Sequence, residues 1–254
     1  MPQKRYSLIC IDEGQDLTES EYRLLHDLNG NGTAFNIFGD IRQLLKTGRG
    51  IDDWSRVSKS IPNLEIRTLN ENYRNTNQIT EHCNEMFHMQ MIKTGMDGTQ
   101  VKQMYRGELE DTLSRLRVGE DRAAVIVPRS VNKESYLHLD ALSPDVRGVI
   151  GEDTGPGKIA LVYVDEVKGV EFDRVFVIPN SMGENERYIA FTRALSHLTL
   201  VDDYSLDTPE NDLDSPNTGI EEERSTPSPH RKFAEKRRPL SGSGSPGQRG
   251  CENL

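Results

Sequence analysis

The sequence predicts an α/β fold. Two patterns point to it. Short apolar runs alternate with longer amphipathic stretches from Tyr6 to about Tyr204, and the runs are continuous in the manner of parallel strands covered on both faces. A third observation bounds the folded part. From about Asp207 the composition turns to Asp, Glu, Pro, Ser and Gly, ending in SGSGSPGQRG, which buries too little apolar surface to offset chain entropy.

In chain order, strands are expected at residues 8–11, 34–38, 64–68, 123–127, 159–164, 175–178 and 198–201. Helices are expected at 19–28, 76–89, 109–117, 132–142 and 185–196. The first helix carries its own start signal, Thr18 with Glu21 three residues on, a capping box. A boundary near Pro62 divides the chain into residues 1–61, with two strands of one sheet, residues 62–206, a second α/β unit, and a disordered tail at 207–254. The RKFAEKRR patch in that tail reads as solvated linker.

The totals set limits. A chain of 254 residues holds one large or two modest domains, and its net charge of −10 offers no electrostatic footprint for nucleic acid. Cys10, Cys83 and Cys251 match no metal or redox spacing, and Cys10, inside an apolar strand, is expected to pack as a small hydrophobe. The expected compartment is the reducing cytoplasm. No apolar run approaches the ~20 residues that span a bilayer, and Lys4 and Arg5 are followed by no signal-peptide core.

Five segments carry chemistry. The strand in YSLICIDEGQD ends in Asp12 and Glu13, which delivers two carboxylates to the C-terminal edge of a parallel sheet, where ligands bind in open α/β folds. Nucleoside triphosphate hydrolysis needs one carboxylate to hold Mg²⁺ and another to position or deprotonate water. In FNIFGDIRQLL, Gly39 permits a tight turn after a strand and Gln43 brings an amide to the same edge, with Asp40 beside it. Asn72-Tyr73-Arg74 pairs an aromatic face suited to a purine with a planar cation suited to phosphate oxygens. Lys168-Gly169-Val170-Glu171-Phe172-Asp173 leads into a strand, and Tyr188 to Ala194, YIAFTRA, places Arg193 on a helix before the last strand. Taken singly, four of them have a plain structural reading: an acidic turn and cap, an ordinary turn, a core tyrosine with a surface arginine, and an exposed arginine on an amphipathic helix.

In this order and spacing the five segments resemble the motor core of superfamily 1 DNA helicases of the UvrD/Rep type, from Tyr6 to about Tyr204. The resemblance implies a RecA-like P-loop NTPase motor fold, with a partial first domain and a second domain built on a parallel sheet. It implies ATP and Mg²⁺ as cofactors, Asp12 on the metal, and Glu13 as base. Gln43 would read the γ-phosphate, Tyr73 stack on adenine, and Arg74 meet the γ-phosphate. Glu171 would meet the ribose, Lys168 and Gly169 shape the turn, and Arg193 act as the arginine finger. Implied partners are single-stranded DNA, tracked 3′ to 5′, or RNA polymerase in a related branch with short inserts. No membrane partner is implied.

The sequence also departs from that family. No GxxxxGK[ST] occurs; the nearest stretch, GEDTGPGKI at residues 151–159, is one residue too long, has Ile159 at the Mg²⁺ position and leads into a strand. With only Met1 to Arg5 ahead of the acidic strand, the chain is expected to be the C-terminal portion of a longer motor, completed by a polypeptide carrying the P-loop half. Asp165 stands where a histidine commonly precedes the KGxEFD block. Lys46-Thr47-Gly48 replaces an aromatic pair before Arg49-Gly50, and Trp54 reads as a core or helix-face residue. Residues 75–167 leave no room for a large accessory insertion. Two readings stay open: part of an ATP-dependent helicase or translocase that grips DNA weakly alone, and a non-enzymatic interaction protein keeping the motor fold.

Overall fold

Six parallel strands make the main sheet, and the inner strands bury alternate residues against two different helical layers. The computed structural model describes residues 6–45, 49–116, 119–138, 142 and 147–206, which belong to one compact unit. The strands are β1 (Leu8–Ile11), β2 (Ala34–Ile37), β3 (Glu71–Asn72), β4 (Ile92–Lys93), β5 (Lys102–Tyr105), β6 (Ala123–Val127), β7 (Ile150–Gly151), β8 (Ile159–Tyr163), β9 (Phe172–Val177) and β10 (Ala194–Asp202). The helices are α1 (Glu19–Asn29), α2 (Ser55–Ser60), α3 (Asn77–Phe87), α4 (Leu109–Arg115), α5 (Lys133–Tyr136) and α6 (Glu184–Thr192). The main sheet runs β5-β10-β9-β6-β8-β7, with every pairing parallel. The fold class is α/β, as expected, consistent with a RecA-like motor fold.

The period of two along each strand sorts side chains between two cores. Ala124 and Ile126 of β6, Val162 of β8, Val175 and Val177 of β9 and Leu200 of β10 face α3 and α6. There Ile79, Cys83 and Phe87 meet Tyr188, Ile189 and Phe191, with Phe87 edge-on to Tyr188 at 5.5 Å between ring centroids. Val125 and Val127 of β6, Leu161 and Phe176 point the other way, onto Leu109 and Leu113 of α4 and Leu137. Both faces of the central strands are therefore covered, which is why those runs read as continuous.

β1 and β2 form a separate two-stranded parallel sheet, Leu8 opposite Ala34 through Ile11 opposite Ile37. Here coverage on both faces fails. Ile11, Tyr22, Ile51, Val57 and Ile61 make a small core on one side, while Leu8 and Phe38 stay exposed. Cys10 points to the uncovered face and is exposed, so it is not a packed hydrophobe. The Thr18–Glu21 capping box forms as expected, with Thr18 N–H donating to Glu21 Oε2 at 2.7 Å and Glu21 N–H to Thr18 Oγ1 at 3.3 Å. Trp54 packs half-buried on the small core.

Three element expectations need correction. Residues 64–68 form no strand: Leu64 packs on the small core, but Ile66 and Leu69 are exposed because no neighbouring strand among the described residues offers an edge. The last helix stops at Thr192 rather than 196, because Ser196 is already in β10 and Asn75 Nδ2 caps the Thr192 and Ala194 carbonyls at 3.1 and 2.7 Å. Within 132–142 only Lys133–Tyr136 is helical, and 139–141 lie outside the described residues, as do Lys46-Thr47-Gly48, Cys251 and the tail. The glycine-rich stretch at 151–159 runs from the end of β7 through a loop into β8, with no helix behind it.

Candidate nucleotide site

The end of β1 makes an unusual turn. Glu13 adopts a left-handed conformation, φ 51° and ψ 40°, which reverses the chain into a single tight helical turn at Gly14–Asp16. Gly14 is needed there, since a Cβ would lie 2.5 Å from Ile37 Cγ2 and 2.6 Å from the Tyr22 hydroxyl. That hydroxyl donates to Gly14 O at 2.6 Å, and burial pushes its pKa up to about 12. Asp12, exposed, accepts from the Glu13 N–H at 2.9 Å, and half-buried Glu13 accepts from Gln15 Nε2 at 2.6 Å.

The segment after β2 lies alongside. Asp40 Oδ1 caps the turn by accepting from Arg42 N–H at 3.0 Å, while its Oδ2 accepts from Gln43 Nε2 at 3.3 Å and the Tyr188 hydroxyl at 2.9 Å. Burial, then the Asp40 charge, raise the Tyr188 pKa. Arg42 Nη1 meets Glu184 Oε1 at 3.0 Å and Asn185 Nδ2 donates to Leu44 O at 2.9 Å, so the start of α6 is tied to this loop.

The remaining segments arrive at the N-terminal ends of β9 and β10. Lys168 Nζ is 2.6 Å from Asp16 Oδ2 and 3.4 Å from Glu13 Oε2, on a turn completed by Gly169 at φ 80°. Glu171 Oε1 pairs with Arg74 Nε at 2.7 Å. Arg74 is itself set by Asn72, whose Oδ1 accepts from the N–H groups of Arg74 and Asn75 at 3.0 and 3.2 Å.

Arg193 is 2% exposed. Its Nε donates to Ile189 O at 3.2 Å and its Nη2 lies 3.4 Å from Thr192 Oγ1 and 3.5 Å from Gln43 Oε1, all neutral acceptors. Burial, then the neighbouring Arg74 charge, depress its pKa, while Glu171 and Glu13 oppose the shift. Among the described residues no carboxylate comes within ion-pair distance of it. A buried, under-compensated guanidinium beside a second arginine favours a polyanion.

The structure thus gathers Glu13, Gln43, Arg74, Lys168, Gly169, Glu171 and Arg193. Tyr73 stands apart, 72% exposed, with its hydroxyl donating to Glu71 at 3.3 Å. Asp12 is open to solvent, and no group of three or more His, Cys, Asp or Glu among the described residues is placed to hold a metal. One carboxylate at the edge still suits Mg²⁺, which takes one or two carboxylates together with phosphate oxygens. Residues that motif spacing left unassigned are Gln15, Asp16, Asn75 and Tyr188. Their signal was position inside the motifs, with no chemistry to single them out.

Comparison with known proteins bears on this arrangement. No family model matches the chain. It is 31% identical over 86 residues to the ATP-dependent DNA helicase Rep of Buchnera aphidicola from Acyrthosiphon pisum, covering 33% of this chain and 13% of that protein. It is 31% identical over 86 residues to the ATP-dependent DNA helicase PcrA of Bacillus subtilis, covering 33% and 12%. Among solved structures, a PRRSV helicase superposes with a TM-score of 0.43 at 17% identity, over 76% of this chain and 34% of that one. Over about a third of its length the chain is homologous to ATP-dependent DNA helicases of the Rep/PcrA, or UvrD, type. It spans only about an eighth of those relatives' length.

Proposed function

We propose that the chain is the C-terminal part of an ATP-dependent DNA helicase or translocase of superfamily 1, acting in the cytoplasm on single-stranded DNA with 3′ to 5′ polarity. Residues 1–61 are part of a first motor domain and 62–206 a second. The observation that carries this reading is Arg193, buried without a carboxylate partner and set between Gln43 and Arg74.

Asp12 would hold Mg²⁺, and Glu13 would orient and deprotonate the attacking water. Gln43, Arg74 and Arg193 receive negative charge, Arg193 from a buried position, and Glu171 and Tyr73 bind the nucleoside, Tyr73 after moving from its exposed position. ATP with Mg²⁺ supplies the phosphoanhydride and the neutralised phosphate oxygens. A finger of the Arg193 kind contributes on the order of 10³-fold or more to turnover. Hydrolysis also needs a phosphate-cradling loop, which no GxxxxGK[ST] in this sequence provides, so a second polypeptide or segment completes the motor.

The test is Mg·ATP binding and hydrolysis by the purified chain, with and without single-stranded DNA. A rise in melting temperature that Arg193→Met abolishes, with no turnover, is expected. Turnover that vanishes in Glu13→Gln would show that the chain needs no P-loop partner. A folded protein indifferent to Mg·ATP counts against the reading and favours the second one, an interaction protein that keeps the motor fold. The missing loop motif and the net charge of −10 lean that way. A motor acting on RNA polymerase, as in the related branch with short inserts, is a separate alternative and is tested by co-purification.

A further inference from the structure

Gln15 is a fully buried polar side chain at the junction of the acidic segment and the loop after β2. Its Nε2 donates to Glu13 Oε2 at 2.6 Å and its Oε1 accepts from the Asp40 N–H at 3.0 Å. Only this orientation of the amide satisfies both neighbours, because a carboxylate cannot donate and a backbone N–H cannot accept. The surroundings lock it further. A Cβ on Gly39 would sit 2.3 Å from Gln15 Oε1, and one on Gly50, at φ +99°, would sit 2.2 Å from Gln15 O. Ile51 N–H donates to that same carbonyl at 2.7 Å. Two loops approach this residue so closely that only glycine fits at the contacts.

We propose that Gln15 is a positioning residue: its carboxamide fixes the Glu13 carboxylate to the Asp40–Gln43 loop, so that the acid and the amide facing phosphate keep one geometry. The proposal rests on the nucleotide reading above for its catalytic sense. From Asp40 the connection continues to Gln43 at 3.3 Å and to Tyr188 at 2.9 Å, and so to the helix that Arg193 follows. Among side chains of this size, an ionised glutamate fails at the Glu13 end and a methionine at both. Glutamate keeps the acceptor for Asp40 but sets a carboxylate against Glu13. Methionine fills the volume and leaves the Asp40 N–H without its partner.

The test uses the full chain, labelled with ¹⁵N, as wild type, Gln15→Glu, Gln15→Met and Glu13→Gln, each checked for cooperative melting. A net hydrogen bond of this kind corresponds to about a tenfold change in local opening. Asp40 amide exchange is therefore expected to accelerate about tenfold in Gln15→Met and to stay near wild type in Gln15→Glu. The Gln15 side-chain amide signals should move upfield in Glu13→Gln, a solvent-facing change that leaves the fold intact even where Gln15→Met does not. Unchanged Asp40 exchange in a folded Gln15→Met, or an unmoved Gln15 amide in Glu13→Gln, overturns the proposal, since a space-filling role alone predicts both. Adding Mg·ATP separates the two claims. Absence of any response at Glu13 and Gln43 in the wild type overturns the nucleotide reading, while the amide pattern still decides whether Gln15 fixes the carboxylate.

Discussion

Lys168 closes on Asp16 at 2.6 Å across 152 residues of sequence, and the same ammonium lies 3.4 Å from Glu13. The KGxEFD turn thereby reaches the acidic turn of the small sheet. The contact is partly shielded, with the lysine side chain 20% exposed and the aspartate 48%. A pair of that exposure contributes about 1 kcal/mol or less and weakens with salt. Lys168→Met and Asp16→Asn should each lower stability to urea by up to about that amount at low ionic strength. The double variant should lose no more than either single one. Equal losses at high salt would mean that packing, not charge, accounts for the effect.

Arg193 gives a prediction in which stability and function part. Its charge is desolvated, and burial together with Arg74 weighs against the protonated form. Replacing an under-compensated buried charge by an apolar side chain of similar length is often neutral or stabilising by about 1–4 kcal/mol. Arg193→Met should melt at or above the wild-type temperature, while losing the stabilisation that tripolyphosphate gives the wild type by mass action. A large loss of stability in this variant would make Arg193 a structural residue instead.

What the sequence disclosed and what it withheld have physical causes. The strands 123–127 and 159–163 were legible because burial on both faces forces an unbroken apolar run. β5 was missed because KQMY sits at the sheet's edge, where one pairing suffices and polar side chains face water. Residues 64–68 misled because a strand-like pattern says nothing of a partner. In the candidate site, Arg193, Glu171 and Gln43 were singled out through motif order. Gln15 and Asn75 were not, since their roles consist of contacts with distant chain, 25 residues away for Gln15 and 117 for Asn75 to Thr192, that no local pattern encodes.

The acid limb of stability should depend on Glu110. Burial works against its charge, but hydrogen bonds from Arg106, at 2.6 Å, and from the His138 N–H outweigh it and bring its pKa down to about 2. A carboxylate depressed in the folded state contributes stability that is complete above its unfolded value, near 4.5, and is lost as pH falls toward 2. Urea denaturation across that range should therefore fall more steeply for wild type than for Glu110→Gln. Parallel pH profiles would show that the Arg106 pair contributes no proton linkage.

The final prediction concerns the C-terminal ends of β6 and β8 and their affinity for single-stranded DNA. Arg129 follows β6 and is held bidentately by Asp165, Nε to Oδ1 at 2.8 Å and Nη2 to Oδ2 at 2.9 Å, with Glu166 Oε1 at 3.3 Å. The guanidinium lies 4.1 Å from the centroid of the Tyr163 ring, and the Lys133 ammonium 5.0 Å from it. Two cations beside an aromatic face suit a single strand, where phosphates meet charge and bases stack. Here the acids already occupy the cations, and a phosphate would have to displace a carboxylate that fits the guanidinium fork as well as it does. Asp165→Asn removes one negative charge and the bidentate partner of Arg129, leaving it the longer contact with Glu166. It should tighten binding to a short single-stranded oligonucleotide by about tenfold at low salt and steepen the salt dependence by about one released counterion. Arg129→Ala in that background should cancel the gain. Fluorescence anisotropy across a salt series measures both quantities, and equal affinity of wild type and Asp165→Asn would mean that Arg129 takes no part in binding an oligonucleotide.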